Sequence, residues 1–412
     1  MAINTTSTSL GTNTVKQTYL QKVIDLTFAP KLMFVNDIVA NGKVAENGRD
    51  ARPGDPVTWT RYDRIAPSTA TLSETASGTP ETMTAAQVTV NLLEKGNHVA
   101  TTEKLDRLSF EDIETLARDL IAENAARSTD QYAMEVAETQ TGAAYVTYGQ
   151  DGQRANKSTI TAADTLDTST VLRLHDKLAS ANVPPVVLNG SEGYILHLHS
   201  QVIHDLKNET AGTTFREVSL YAAPEERLTG EVGMYEGFRI IQNNSVKVDY
   251  KAGEEKQAAT TVDGAHTAGA TVVALTDATG IVAGNVVVIT DGSGDEYAYT
   301  VESVATNDVT IGKAVRKNGF FIPRPDGSGL VTALSGGEAA EESSAVYSCY
   351  AMGRDAFAYA KAVTPEIRIS DDNADAFGRV KRYAWYALHG IGEYAPESLH
   401  KLYISSSLNP NG

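Results

Sequence analysis

The stretch GEVGMYEGFRIIQNN, residues 230–244, places Gly230, Gly233 and Gly237 within eight residues of one another. A common phosphate-binding loop has the pattern G-x-x-x-x-G-K-[ST] and lies between a strand and a helix. Here the glycine spacing differs, no lysine follows Gly237, and FRIIQ has the character of a strand. We therefore interpret the three glycines as a structural turn that begins a strand, and we expect a positive φ at Gly237.

The segments around this stretch alternate between helix and strand patterns. TSTVLRLHDKLASANV (168–183) predicts a helix that ends before Pro184. GYILHLH (193–199) predicts an apolar strand, and SQVIHDLKN (200–208) predicts a helix capped by Ser200. Residues 160–250 are therefore expected to form a domain of mixed α and β structure.

The composition changes after residue 250. Residues 251–345 contain 13 glycines and no Trp, Met or Cys, and their charges sum to 6 minus 13, or −7. Apolar runs such as NVVVIT (285–290) are separated by Gly, Asp and Asn, and DGSG (291–294) is typical of a hairpin turn. This segment is predicted to be a small all-β barrel inserted into the α/β part.

Residues 54–102 predict one long hairpin. PGDPVTWTRYDRI (53–65) places Val57, Trp59 and Arg61 on one face of a strand, and AAQVTVNLLEKGNHVATT (85–102) returns as the second strand. Nine of the 17 residues from Ser68 to Thr84 are Ser or Thr, too polar to become ordered by their own burial. Such an arm needs another surface for its stability. The alternative, an unstructured loop, is uncommon at this length.

Ser109 and Asp112 form a capping-box pattern that opens a long helix. No Pro or Gly interrupts the chain before Gly142, so about 30 helical residues would span roughly 45 Å. This length predicts a spine rather than an ordinary core helix. Its apolar positions recur at helical spacing and comprise Ile113, Leu116, Ala117, Leu120, Ile121, Tyr132 and Val136.

The length, net charge and cysteine content of the chain limit the classes of protein to which it can belong. A chain of 412 residues is expected to form two or three domains, and its net charge of −17 disfavours tight binding to nucleic acid. The single cysteine excludes an intrachain disulfide. Neither a membrane span nor a signal peptide is apparent, which predicts a soluble protein made in the cytoplasm.

Candidate metal ligands do not form a convincing set. His197 and His199 would share one face of a strand and could bind a metal, with His204 and Asp205 close in sequence, but exposed histidines at the end of a strand are the simpler interpretation. DDNADAFGRVKR (371–382) departs from a calcium loop at its sixth and twelfth positions, so it predicts a polar turn. The acidic turn of Asp291, Asp295 and Glu296 is interpreted as a solvated hairpin.

The sequence also lacks a convincing catalytic nucleophile. Cys349 lies in the strand pattern AVYSCYAMG, and no base in the sequence points to it. GSEG (190–193) is not the G-x-S-x-G elbow of the hydrolases. We therefore expect a non-enzymatic protein that needs no cofactor, built from parts that make contacts between copies of a chain.

Six stretches together carry a resemblance to a known family. They are PGDPVTWTRYDRI, LLEKGNHVATTEKLD, GYILHLHSQVIHDL, GEVGMYEGFRIIQNN, AMGRDAFAYA and RYAWYALHGIGEYAPESLHKLYISSS. They resemble the major capsid proteins of tailed bacteriophages, which share the Hong Kong 97-like fold, and above all a family found in podovirus-type phages. The resemblance covers roughly residues 20–250 and 345–407.

The resemblance implies an α+β fold with an N-terminal arm, an extended loop, a peripheral domain that carries the spine helix, and an axial domain with the β-barrel inserted. The corresponding ranges are 1–53 (arm), 54–102 (extended loop), 103–159 (peripheral), 160–250 (axial), 251–345 (insert), 346–361 (axial return) and 362–412 (peripheral C-terminal strands). Candidate contacts between subunits, all in the extended loop, are Trp59, Arg61, Arg64 and Glu74.

The function implied is a coat protein that assembles into hexamers and pentamers, closing an icosahedral shell around double-stranded DNA without sequence-specific contact. Its partners would be other copies of itself, with scaffolding, portal and decoration proteins, and no membrane. It would reside in the virion after assembly in the bacterial cytoplasm. The alternatives are a tail-tube or adhesin protein, and a metal-dependent enzyme that uses His197 and His199.

Overall fold

The structure of the chain is a computed structural model. The residues it describes are 33–46, 56–62, 65, 68–69, 71, 80–109, 112–139, 142–188, 191–209, 231–254, 260–322, 329–335, 339–341, 343–371 and 379–410. None of the helices in these ranges combines the length and the apolar character needed to span a bilayer.

In these ranges the α-helices are α1 (Met33–Asn41), α2 (Glu103–Leu108), α3 (Ile113–Glu138), α4 (Thr168–Ser180) and α5 (Ser200–Asn208). The strands up to the insert are β1 (Lys43–Glu46), β2 (Val57–Tyr62), β3 (Ala85–Val90), β4 (Leu93–Thr102), β5 (Val146–Tyr148), β6 (Val186–Leu188), β7 (Ser191–Leu198), β8 (Glu231–Tyr235), β9 (Phe238–Gln242) and β10 (Val248–Asp249). Those that follow are β11 (Thr260–Thr261), β12 (Ala265–His266), β13 (Val272–Ala274), β14 (Val286–Thr290), β15 (Glu296–Ala305), β16 (Asp308–Lys317), β17 (Phe320–Phe321), β18 (Leu334–Ser335), β19 (Ala339–Glu341), β20 (Val346–Met352), β21 (Phe357–Asp371), β22 (Val380–Glu393) and β23 (Leu399–Ile404).

The chain divides into two compact units. Unit 1 comprises residues 1–129 and 357–394, and unit 2 comprises residues 130–356 and 395–412. The last strand, β23, lies in unit 2 because it pairs with β20 and β5. This corrects the expected peripheral range of 362–412, whose final residues join the sheet of the other unit.

Unit 1 is built on a four-stranded sheet in the order β1-β21-β22-β4. The predicted return strand of the hairpin is two strands, since β3 pairs with β2 whereas β4 pairs with β22. Strands β21 and β22 form a long antiparallel pair, and the stretch interpreted as a polar turn (371–382) connects them. Residues 372–378 of that stretch lie outside the described residues.

Helix α3 packs on this sheet through alanines rather than leucines. Ala122 and Ala125 are fully buried and pack against the aromatic rings of Tyr383 and Trp385. The predicted core positions Leu116 and Leu120 are instead exposed. The predicted positions Ala117 and Ile121 are buried in the same cluster. The small alanines on this face let the helix approach large side chains on the sheet.

The helix also begins later than its sequence pattern predicts. Ser109 follows the separate helix α2, whose last turn it closes by donating its backbone N–H to the carbonyl of Leu105. Asp112 takes the capping role for α3, because its carboxylate accepts from the backbone N–H of Thr115 at 3.2 Å. The 26 residues of α3 span about 39 Å.

Unit 2 contains an eight-stranded sheet. Six of its strands follow the order β5-β23-β20-β7-β9-β8, while β10 pairs with β20 and β6 pairs with β7. Helices α4 and α5 bury their apolar faces on it and form one core with its central strands. The cap of α5 is His199 rather than Ser200, which is the first helical residue. Residues 160–250 thus contain helices and strands as predicted, but their sheet also takes in β5, β20 and β23 from outside that range.

The insert leaves and rejoins this sheet at adjacent positions. Strand β10 pairs with β20. Across the two connections, Gly253 then donates its N–H to the carbonyl of Ser344, and Ser344 donates its N–H to the carbonyl of Glu254, both at 3.0 Å. Between them lies a seven-stranded sheet, β11-β19-β14-β15-β16-β13, with β17 paired to β16 and an apolar core of its own. One antiparallel bridge, Val262 with Leu275, links its two edge strands. Closure into a complete barrel stays a prediction.

Candidate assembly elements

The hairpin of β2 and β3 is a separate two-stranded sheet within the described residues. Its register pairs Trp59 with Val88, and the Oγ1 atoms of Thr58 and Thr89 lie 3.1 Å apart across the strands. Only the root is buried, where Val57 and Val90 pack against small residues of β1 and β21. The part beyond the root therefore projects from the core of unit 1.

Two glycines of β22 make room for the root of the hairpin. A Cβ atom at Gly390 would collide with the carbonyl oxygen of Asn91, and a Cβ at Gly392 would lie 2.6 Å from a methyl group of Val90. The HGIG sequence (389–392) thus allows the hairpin to pass closely over the sheet. Sequence analysis missed this role, although two glycines spaced by one residue inside an apolar strand are a usable signal of close backbone approach.

The predicted contact residues of the hairpin differ in their surroundings. Trp59 and Arg61 share the more buried face of β2, as the alternation predicts, and Trp59 packs partly against the cluster at the root. Arg64 and Glu74 lie outside the described residues. A role for these four residues between subunits therefore stays a proposal.

The glycine-rich stretch forms a tight hairpin between β8 and β9. Glu236 and Gly237 both have positive φ, 45° and 75°, the combination found in type I′ turns. A Cβ at Gly237 would lie 3.0 Å from the ring of His175 on α4. The prediction for Gly237 is confirmed in its backbone conformation, and no helix follows, in contrast to a phosphate-binding loop.

The other two glycines do not share that turn. Gly233 has a φ of 159°, which is extended backbone, and lies within β8 where the register with β9 shifts. Its predicted place in the turn is therefore corrected to a strand irregularity. Gly230 lies outside the described residues.

The candidate metal ligands are separated by the fold. His197 is buried in β7, whereas His199 occupies the N-cap position of α5 and its Nε2 lies 3.2 Å from Nη2 of Arg316, a residue of the insert. Burial, together with the Arg316 charge, lowers the pKa of His199 to about 3, so the ring is neutral. A neutral imidazole accepts at one nitrogen, and because a guanidinium can only donate, Nε2 is that acceptor. His204 is half-exposed beside Asp205. Among the described residues, no three His, Cys, Asp or Glu side chains form a metal-binding group.

The remaining candidates have structural surroundings. Asp291 accepts backbone N–H groups from Ser293 and Asp295, both at 2.9 Å, and so organises the DGSG turn. Cys349 is fully buried in β20, and burial raises the pKa of its thiol. A thiol that stays protonated is a poor nucleophile.

A buried ionic cluster fixes the end of α3 within unit 2. The carboxylate of Glu138 accepts hydrogen bonds from the hydroxyls of Tyr350 at 2.8 Å and Tyr403 at 2.9 Å, and Lys401 donates to its backbone carbonyl at 3.0 Å. Burial alone would raise the pKa of Glu138, but the charges of Lys157 and Lys401 and the Tyr350 hydrogen bond outweigh it and lower the pKa. The cluster anchors the helix to β20 and β23.

Comparisons with known proteins identify the family of this chain. A family model described as phage capsid protein matches residues 35–393. The chain belongs to the phage capsid protein family. It is therefore a structural component of a virion shell, which is consistent with a projecting hairpin and a long helix.

Solved structures agree with this capsid assignment. The capsid of Ralstonia phage GP4 is similar with a TM-score of 0.56 at 12% identity, over 90% of each chain. The cyanophage Pam1 capsid is similar with a TM-score of 0.51 at 13% identity, over 87% of each chain. These likenesses support the Hong Kong 97-like fold of this capsid protein. No functionally curated protein matches the chain.

Proposed function

We propose that this capsid protein assembles into hexamers and pentamers that close an icosahedral head shell around double-stranded DNA. The observation that carries the proposal is the hairpin, which is anchored at its root and projects beyond the core of its own unit. In a shell, such an element gains stability by lying on a neighbouring copy. Many modest contacts of this kind sum to a stable lattice.

We also propose how the coat relates to the DNA it encloses and to other proteins of the head. The net charge of −17 favours a coat that encloses DNA without gripping it. We place the acidic insert on the outer surface, and we expect scaffolding, portal and decoration proteins as partners during assembly in the host cytoplasm. Since the family is one of capsid proteins, assembly rather than turnover is the proposed role.

Deletion of residues 68–84 tests the role of the hairpin. The shortened chain should remain folded, because the described part of this segment is exposed and the root at Val57 and Val90 is retained. It should fail to form shells in electron micrographs of the purified protein. Normal shells from the shortened chain would overturn the proposed role.

A further inference from the structure

A small cavity with a volume of about 260 Å³ lies beside α4 in unit 2. Its lining includes the buried apolar side chains of Leu174 and Leu402. Because buried apolar side chains exclude water, charges at this cavity act more strongly than charges on an open surface. The polar and charged residues that complete the lining are Thr147, Asp151, Thr170, Arg173, Asp176 and Lys177.

Lys177 carries a charge that no carboxylate of the described chain neutralises. Its Nζ donates to the Oγ1 of Thr147 at 2.7 Å, which is its one hydrogen bond within the described residues. Lys157 of the same unit, by contrast, pairs with the carboxylate of Asp249 at 3.0 Å. An ammonium group has three donors. Two N–H groups of Lys177 therefore have no acceptor in the described part of the chain.

A buried histidine lies on the other side of the hydroxyl that holds Lys177. The Oγ1 of Thr147 is 2.7 Å from Nε2 of His400, and both residues are buried. Burial and the charge of Lys177 lower the pKa of His400 to about 4, so its ring is neutral at pH 7. Since the hydroxyl and the ring are both neutral, neither supplies a negative charge to Lys177.

A second cation lies one helical turn away. Arg173 and Lys177 are four residues apart on α4, so their side chains share one face of the helix. Nε of Arg173 lies 3.2 Å from the carboxylate of Asp151, and Nη1 donates to the Asp151 carbonyl at 3.1 Å, whereas Nη2 has no partner among the described residues. Partial burial of the ammonium group and the charge of Arg173 lower the pKa of Lys177. The two cations therefore lack a shared counterion.

The two acids of the lining do not supply that counterion. Asp151 is bound to Arg173, and its carboxylate also accepts from the hydroxyl of Ser169 at 2.8 Å. The side chain of Asp176 is 73% exposed and lies 3.8 Å from Nδ1 of His175. These acids would repel a polymer with many negative charges, such as DNA, whereas a single small anion fits between the two cations.

We propose that the cavity binds a small free oxyanion, of the class of inorganic phosphate, between Arg173 and Lys177. The two available N–H groups of Lys177 and those on Nη2 of Arg173 donate to its oxygens. Hydrogen bonds between charged partners are about twice as strong as neutral ones. The inference goes beyond the proposed function, because the site requires no contact between copies of the chain.

The reactivity of Lys177 towards an acetylating reagent tests the site in the full-length protein. A bound anion favours the charged ammonium group and so lowers the fraction of free amine. Inorganic phosphate should slow the acetylation of Lys177 about tenfold relative to sodium chloride at the same ionic strength, as a rise of about one in its pKa would. Mass spectrometry of peptides measures the rate. Lys207, an exposed lysine on α5, should react equally fast in both salts.

Arg173→Gln removes the second cation. Lys177 should then react more slowly in chloride than in the unmodified protein, because the charge that lowers its pKa is gone, and phosphate should have no further effect. Arg354→Gln, an exposed arginine of unit 2 outside the cavity lining, is the matched control and should behave like the unmodified protein. Circular dichroism checks that both variants are folded.

Isothermal titration calorimetry with inorganic phosphate gives a second readout. Binding heat should be present in the unmodified protein and in Arg354→Gln, and absent in Lys177→Met. Equal rates for Lys177 in phosphate and chloride, or protection by phosphate that persists in Arg173→Gln, would overturn the site. If Lys177 is protected in assembled shells without phosphate, and phosphate does not protect it in free subunits, the counterion is a carboxylate of a neighbouring copy and the proposal is wrong.

Discussion

At Glu236 and Gly237 the chain reverses with positive φ at both residues, and Gly237 faces the ring of His175. Two separate effects therefore exclude a side chain at Gly237, the backbone conformation and the lack of space. The insert offers a residue that isolates the first effect. Gly264 has a φ of +80°, and a Cβ added there would meet nothing within 4 Å.

We expect Gly237→Ala to destabilise unit 2 more than Gly264→Ala does. The φ penalty alone is about 1–2 kcal/mol for a residue with a Cβ, and crowding against His175 adds to it only at Gly237. Calorimetry of the two variants measures the difference in melting temperature, about 2–4 °C for each kcal/mol. Equal losses would show that His175 gives way without cost.

Glu138 carries a prediction about pH. Its pKa in the folded protein lies below the ordinary value of 4.5, so its ionised form contributes stability above that value, and the contribution is lost as the pH falls through the lowered pKa. Glu138→Gln should cost about 1–3 kcal/mol at pH 7. The difference from the unmodified protein should shrink below about pH 4. A difference that does not change with pH would contradict an ionised Glu138.

At the scale of elements, the packing of α3 differs from what its sequence pattern predicts. Helical spacing marks Leu116, Ala117, Leu120 and Ile121 as core, and the structure buries Ala117 and Ile121 but exposes the two leucines. Periodicity identifies the helix but cannot choose between two faces, because the choice depends on the size of the partner side chains. Here the partners are Tyr383 and Trp385.

Ala125→Leu should destabilise unit 1 by about 1–3 kcal/mol, because extra atoms in a filled core force neighbours to shift. Leu120→Ala, an exposed position on the same helix, should stay within about 0.5 kcal/mol. Both tryptophans of the chain, Trp59 and Trp385, lie in unit 1, so urea unfolding followed by their fluorescence reports on this unit. A tolerated Ala125→Leu would mean that the helix packs more loosely than described.

Arg316 of the insert forms hydrogen bonds to the part of the chain from which the insert leaves. This buried side chain donates to the backbone carbonyls of Val246 at 2.9 Å and Asn244 at 3.1 Å, as well as to His199. Val248 in turn donates its N–H to the carbonyl of Gly319 at 2.8 Å. Deleting the insert would therefore leave backbone carbonyl groups of the host domain without their hydrogen-bond donors. The change in composition at residue 251 could not predict these contacts.

Arg316→Met should loosen this junction, at a cost of about 1–3 kcal/mol for the unsatisfied carbonyls. Hydrogen exchange at the Val248 amide should accelerate, since its acceptor Gly319 is held by the same guanidinium at 3.1 Å. Lys317→Met is the matched control, because Lys317 makes a partly exposed ion pair with Asp295 and a cation–π contact with Tyr297, both within the insert. Unchanged exchange in Arg316→Met would show that the insert is held by other contacts.

At the scale of the whole molecule, most elements could be predicted from the sequence. The alternation around Trp59 predicted the first hairpin strand, and the composition of residues 251–345 predicted the strand-rich segment that holds the seven-stranded sheet. The pairing of β4 with β22 could not be predicted, because it joins Thr102, where β4 ends, to Val380, where β22 begins, and these residues are distant in sequence. The role of Gly390 depends on the same long-range pairing.

The central claim is that this chain builds a closed shell from copies of itself. Negative-stain electron microscopy of the purified full-length chain, expressed alone and with the proteins of its own phage head, tests it most directly. We expect closed isometric particles, or rings of five and six subunits, in at least one of the two preparations. A protein that remains a monomer in both would contradict the account.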